Sequence, residues 1–288
     1  MKANFTVLNF SGIYDEESFY RVDKGSSFYG EILDFKWISG TNCMCDDEAK
    51  KEIKRALFEH AISKFDGLPE SDCMESRVKG IHFIDSGNYH YMSALFLEEI
   101  REPFSLVVLD HHPDMQPSMF GQILSCGGWV KEVLDNNPYV RDVHVIGADR
   151  GLIEKLLEED RAKVKFYDRE DVVKALDGDI ENVDESEEGD LGICLPDVQY
   201  PVYLSIDKDV ISGEEITTNW DQGEFTADEV MRFTKALLMQ KEILGVDICG
   251  ECSLDQEGVD ITKAIEGNDD FNKEMLRVLN DNVNMNEI

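Results

Sequence analysis

Short apolar runs recur along the chain at N-F-T-V-L-N-F (4–10), G-I-H-F-I-D (80–85), S-L-V-V-L-D (105–110), D-V-H-V-I-G (142–147), K-V-K-F-Y-D (163–168), P-V-Y-L-S-I-D (201–207) and I-L-G-V-D-I-C (243–249). They are rich in β-branched residues and continuous rather than alternating, the pattern of strands covered on both faces. Helical patterns fall between them. From Asp46 to Lys64, residues Ile53, Leu57 and Ile62 form a rough helical stripe. Thr226-Ala227-Asp228-Glu229 reads as a capping box opening a second helix, with Val230, Phe233, Leu237 and Leu238 on its apolar face. This alternation predicts one three-layer α/β/α domain over residues 1–288, built on a mostly parallel sheet of roughly eight strands. No internal repeat or Gly/Ser-rich linker divides it. One segment breaks the pattern: from Asp177 to Asp190 eight of fourteen residues are acidic and none is basic, which predicts an acidic surface insertion.

Charge narrows the partners. The formal net charge of −33 opposes binding to nucleic acid or to anionic membranes, which leaves a small molecule as the expected ligand. The N-terminal apolar run is too interrupted for a secretory h-region, and no segment is long enough to span a bilayer. Seven cysteines, without framework-like spacing, suit a reducing cytoplasm. The pairs Cys43/Cys45 and Cys249/Cys252 raise a zinc reading, but the first has the wrong spacing for a knuckle, so incidental thiols are expected.

The chemistry should sit where strands end, because open α/β sheets bind ligands beyond the carboxyl ends of their strands. Several strands here end in acids: Asp85, Asp110 and Asp207. In D-H-H-P-D, alternation puts Asp110, His112 and Asp114 on one side and His111 on the other. Asp207 and Asp209 repeat the spacing of two, with Lys208 turned away, and S-G-N-Y-H-Y-M-S adds His90 after a Gly87-Asn88 turn. Acids and imidazoles at the end of an apolar strand are costly unless something binds them. His60, His82 and His144 read as ordinary helix or strand residues.

G-N-Y-H-Y-M-S, L-V-V-L-D-H-H-P-D and S-I-D-K-D resemble, in order and approximate spacing, the three metal-binding motifs of the arginase/agmatinase (ureohydrolase) family, G-x-x-H, D-A-H-x-D and S-x-D-x-D. The resemblance runs from about residue 80 to 250, and the histone deacetylase branch of the same fold retains a subset of it. It implies an arginase/deacetylase-like domain holding two Mn²⁺ ions. His90 and Asp114 would serve one ion and His112 and Asp209 the other, with Asp110 and Asp207 bridging both and orienting a hydroxide. The residues agree: four carboxylates and two imidazoles without a thiolate favour Mn²⁺ or Fe²⁺ over structural zinc, though Zn²⁺ stays open. The implied activity is hydrolysis of a linear C–N bond, guanidino, amidino or amide.

The chain also departs from that family. The histidine used for proton transfer after D-A-H-x-D is missing; the region reads S-M-F-G-Q-I-L-S-C-G-G-W-V, which makes arginase activity itself doubtful. T-T-N-W-D-Q-G (217–223) replaces a proline-rich segment, and D-I-C-G-E places Glu251 one residue later than the family's substrate-anchoring glutamate. Glu251, Asp149 and Trp220 are the candidates for substrate contact, Glu251 through a cationic group. Relatives commonly assemble as trimers or hexamers, so a homo-oligomer stays open. Two other readings compete. One is a metal-binding protein that has lost catalysis. The other is a DHH-type manganese phosphoesterase, suggested by D-H-H-P but lacking the early D-x-D motif.

Overall fold

The computed structural model of the 288-residue protein describes residues 3–21, 28–64, 69–70, 73, 78–117, 123–178 and 197–282. Eight strands form a single sheet, β2 (Phe28–Asp34), β1 (Ala3–Asn9), β4 (Ile81–Ser86), β10 (Ile243–Glu251), β9 (Val202–Asp207), β5 (Phe104–Leu109), β7 (Val140–Ile146) and β8 (Lys165–Tyr167), in that spatial order. Every neighbouring pair is parallel. The remaining strands, β3 (Met44–Cys45) and β6 (Leu124–Ser125), make a small antiparallel ladder outside this sheet.

The continuous apolar runs have the expected cause. Every residue of β4, β5, β9 and β10 is buried. Alternate residues feed two separate cores. Val107, Leu109, Leu204 and Ile206 belong to one, whereas Leu106, Val108 and Tyr203 belong to the other. The second core is closed by helices α1 (Asp47–Lys64), α2 (Met92–Leu97) and α3 (Trp129–Asn136). Two short helices, α4 (Arg150–Glu154) and α5 (Glu158–Arg161), follow; α6 (Arg169–Gly178), α7 (Ala227–Gln240) and α8 (Ile261–Asn282) close the first core. Each fully buried aliphatic or Phe side chain contributes about 1.5–3 kcal/mol relative to exposure, so this double burial is what commits the central strands.

Helix α7 starts on the predicted capping box, with both Thr226 and Glu229 bonds present, and buries Val230, Phe233, Leu237 and Leu238. In α1 the stripe is Ile53, Leu57 and Ala61; Ile62 is only half-buried at its edge. β2 was not expected from the pattern. Its F-Y-G-E-I-L-D sequence is interrupted by Gly30 and Glu31, and it pairs on one side only, with β1. The acidic segment 177–190 lies outside the described residues apart from its first two, which end α6. Among the described residues no helix is long and apolar enough to cross a membrane.

Candidate metal centre

Three strand ends deliver the candidate ligands, those of the adjacent pair β9 and β5 and that of β4, one strand away across β10. β4 runs into a 3₁₀ turn, Gly87–Tyr89, that presents His90; β5 leads directly to Asp110; β9 ends at Asp207 and continues through a 3₁₀ turn carrying Asp209. His90, Asp110 and Asp207 form one group of metal-competent atoms, all within 4.8 Å of one another, and Asp110, His112 and Asp209 form a second. Asp110 is common to both. Asp114 joins the first group, its Oδ2 lying 3.3 Å from His90 Nδ1. All six residues line one cavity of about 170 Å³.

His90 is the clearest indicator of what the cavity is for. Its Nε2 is 2.8 Å from Ser205 Oγ, which fixes the ring. Nδ1 then faces Asp110, Asp114 and Asp207 at 3.2, 3.3 and 3.3 Å, yet it is buried and makes no hydrogen bond. A buried, unpartnered donor atom ringed by carboxylates is costly unless a cation or proton occupies the space. The donor set, oxygen and imidazole without thiolate, fits divalent ions such as Mn²⁺.

His112 repeats the arrangement on the other side. Nδ1 lies 2.9 Å from Asp209 Oδ2, and Nε2 lies 3.1 Å from Oδ1 of Asp221 on the T-T-N-W-D-Q-G loop. A carboxylate on the outer nitrogen orients an imidazole ligand and raises its basicity. Asp221 was not singled out from sequence, because nothing local marks a residue 109 positions away as a partner of His112. Trp129 supports the other side of the site. It donates Nε1–H to Asp114 Oδ2 at 2.6 Å and holds that carboxylate in place.

The electrostatics reflect crowding of acids. Burial, with the Asp110 charge, pushes Asp114 up to about 7. Burial and its Asp207 and Asp110 neighbours raise Asp209 well above the carboxylate range. Burial opposes protonation of His112, but Asp110 and Asp209 outweigh it and carry the ring up to about 12.

The backbone is shaped around these groups. Asp114 has φ +47°, a left-handed conformation that aims its carboxylate back toward His90. Gly250 has φ +96°, and a Cβ there would lie 2.3 Å from Asp207 Oδ1; only glycine lets β10 pass this close to the ligand. Likewise a Cβ on Gly87 would meet Trp220 Cδ1 at 2.7 Å.

The structure separates the candidates for substrate contact. Trp220 lines the cavity mouth, its Nε1 donating to Asn88 Oδ1 at 2.9 Å. Asp149 lies off the cavity; it caps α4 by accepting from Leu152 N at 2.9 Å. Glu251 is corrected most sharply. After the turn at Gly250 it is sealed inside the protein, 2.5 Å from Lys208 Nζ and accepting from Asn272 Nδ2 at 2.8 Å, so it cannot anchor a cationic substrate. Lys208, between the two candidate aspartates, is likewise buried and makes this ion pair rather than facing the cavity. His111 also points out of the cavity: its backbone N–H donates to Asp209 Oδ1 at 3.0 Å, while its ring packs by Gly223.

The candidate ligand groups among the described residues contain no cysteine. Cys45 and Cys249 are buried, and Cys249 Sγ donates to the Ile84 carbonyl at 3.0 Å. Cys43 instead meets Cys126 across the β3–β6 ladder on the cavity wall, and hydrogen bonding between the two brings the Cys43 thiol down to about 7.

Comparison with known proteins follows the geometry. No protein-family model matches the chain. An uncharacterized protein of Thermotoga maritima is 29% identical over 245 residues, covering 85% of this chain and 78% of the relative. Agmatine ureohydrolase of Thermoplasma volcanium superposes with a TM-score of 0.54 at 17% identity, over 96% of this chain and 92% of that one. Formimidoylglutamase of Bacillus subtilis gives 0.58 at 12% identity, over 96% and 86%. A triple mutant of an arginase-like protein of T. brucei, bound with Mn²⁺, gives 0.52 at 14% identity, over 96% and 90%. With its eight-stranded parallel sheet, the chain shares the fold of these agmatine ureohydrolase, formimidoylglutamase and arginase-like structures.

Proposed function

We propose that this protein is a binuclear metal-dependent hydrolase of a linear C–N bond. The observation that carries the reading is the buried, unpartnered His90 Nδ1 facing three carboxylates, one of which, Asp110, is shared with the His112 group. His90 and Asp114 would hold one ion, His112 and Asp209 the other, with Asp110 and Asp207 between them. Mn²⁺ is the expected metal, and Fe²⁺ or Zn²⁺ suit the same donors. When bound, such a pair supplies Lewis acidity and activates water at neutral pH for attack on a C–N-bonded carbon.

The chain's own residues prepare that chemistry. Ser205 and Asp221 set the two imidazoles, Trp129 sets Asp114, and the Asp209 backbone N–H sets Asp207 through Oδ1 at 3.0 Å. Met44 and Trp220 flank the cavity with apolar surface.

The test is manganese stoichiometry per chain for the wild type and Asp207→Asn side by side, followed by a hydrolysis screen on guanidino, amidino and amide compounds. Two ions in the wild type, clear loss in the variant and turnover of one class would support the reading. Unchanged metal in the variant would remove Asp207 from the ligand set. Two ions without turnover would favour a metal-binding protein that has lost catalysis, and turnover of a phosphodiester would favour the phosphoesterase alternative.

A further inference from the structure

The wall of the cavity differs in character from its floor. Beyond the six candidate ligands, the side chains around it include apolar Met44, Pro117, Ile123 and Trp220, with Gln116 and Ser125 as neutral hydrogen-bonding groups. Among the described residues lining it, the wall carries no carboxylate, ammonium or guanidinium group outside the ligands. The acids that could hold a cationic substrate are engaged elsewhere. Glu251 is paired with buried Lys208, Asp149 caps α4, and Asp221 is bonded to His112 Nε2.

A guanidinium or ammonium entering this space would give up its hydration beside apolar walls and approach two divalent ions with no carboxylate left to offset its charge. A neutral group meets neither penalty, and an apolar arm gains from burial against Met44, Ile123 and Trp220. Building on the hydrolase reading above, we infer that the substrate is an uncharged carboxamide with an apolar acyl arm, not a guanidinium compound. The water oxygen bonds to the carbonyl carbon and the C–N bond breaks with its electron pair going to nitrogen. Both protons of the water end on the leaving nitrogen, so the products are a carboxylate and an ammonium ion.

The test uses the manganese-loaded protein and two probes of matched length, hexanamide and hexylguanidinium. Affinity is read by calorimetry and by Trp220-dependent fluorescence; turnover is read as ammonia from the amide and urea from the guanidinium. The expected result is at least about tenfold tighter binding of hexanamide, with ammonia released. Met44→Glu, at a position 38% exposed and tolerant of charge, should shift the affinity ratio toward hexylguanidinium by about tenfold. Tighter binding of hexylguanidinium, or release of urea, would overturn the substrate class while leaving a C–N hydrolase standing. An unchanged ratio in Met44→Glu would also overturn it, because the wall would not be setting the preference. Absence of turnover for both probes, with manganese bound, would overturn this inference, whereas the hydrolase reading falls only if the wider screen, amidino compounds included, is also negative.

Discussion

Asp221 shows how much a single exposed side chain can matter. Its carboxylate is 72% exposed, yet it holds the outer nitrogen of His112. Losing such a partner typically costs 10–100-fold in metal affinity, whereas an exposed substitution costs within about 0.5 kcal/mol of fold stability. On the proposed two-metal reading, Asp221→Ala should therefore weaken manganese binding at the His112 group by roughly that factor, with an unchanged melting temperature for the metal-free protein; a chelator-competition titration reads it. Equal affinity in both proteins would mean that His112 needs no orienting partner. Asp85 offers a different kind of test. It is fully buried and accepts from Phe10 N, Ser11 N, Ser11 Oγ and Ser86 N, but burial outweighs these donors and lifts it to about 6. Its folded pKa is above the unfolded one, so the folded state binds the extra proton and stability falls as pH rises toward 6. Between pH 5 and 6.5 the wild type should lose roughly 1 kcal/mol that Asp85→Asn does not, and level off above that range. Parallel denaturation midpoints across those pH values would refute the assignment. At this scale the acids and His112 were readable as candidates from their spacing along the chain, although the chain is not extended there: Asp209 sits in a 3₁₀ turn and Asp114 at positive φ. Asp221, and the burial of Glu251, were not readable, since both depend on side chains brought together from distant segments.

At the level of elements, legibility followed burial. The strands covered on both faces announce themselves as continuous apolar runs, while edge strand β2, with Gly30 and Glu31 inside it, does not. The two-residue ladder β3–β6 joins segments about eighty positions apart, and no local pattern could foretell it. It nevertheless places Met44 and Cys43 on the cavity wall. The capping box of α7 was legible because it is complete within four residues. Thr226 Oγ1 accepts from Glu229 N at 3.1 Å, and Glu229 returns the bond to Thr226 N while also pairing with Arg169. Thr226→Ala should cost about 1 kcal/mol, measured by urea denaturation, with metal binding untouched. A loss below about 0.3 kcal/mol would mean that packing of α7 alone fixes its start.

For the whole molecule, the order of strands in the sheet has a kinetic meaning. β9 lies between β10 and β5, although β5 precedes it by about a hundred residues and β10 follows it. Asp110 and Asp207 thus become neighbours only once the middle of the sheet has closed over a long loop, an event that tends to come late because loop entropy must be overcome first. An ion that needs both carboxylates has no partner in the unfolded chain or in an early, partly paired sheet. Its binding energy should therefore act as a latch on the finished fold, slowing escape from the native state without hastening arrival there. In a denaturant-jump experiment, manganese should lower the unfolding rate and leave the refolding rate nearly unchanged. Faster refolding with manganese would instead place the union of β5 and β9 at the start of folding.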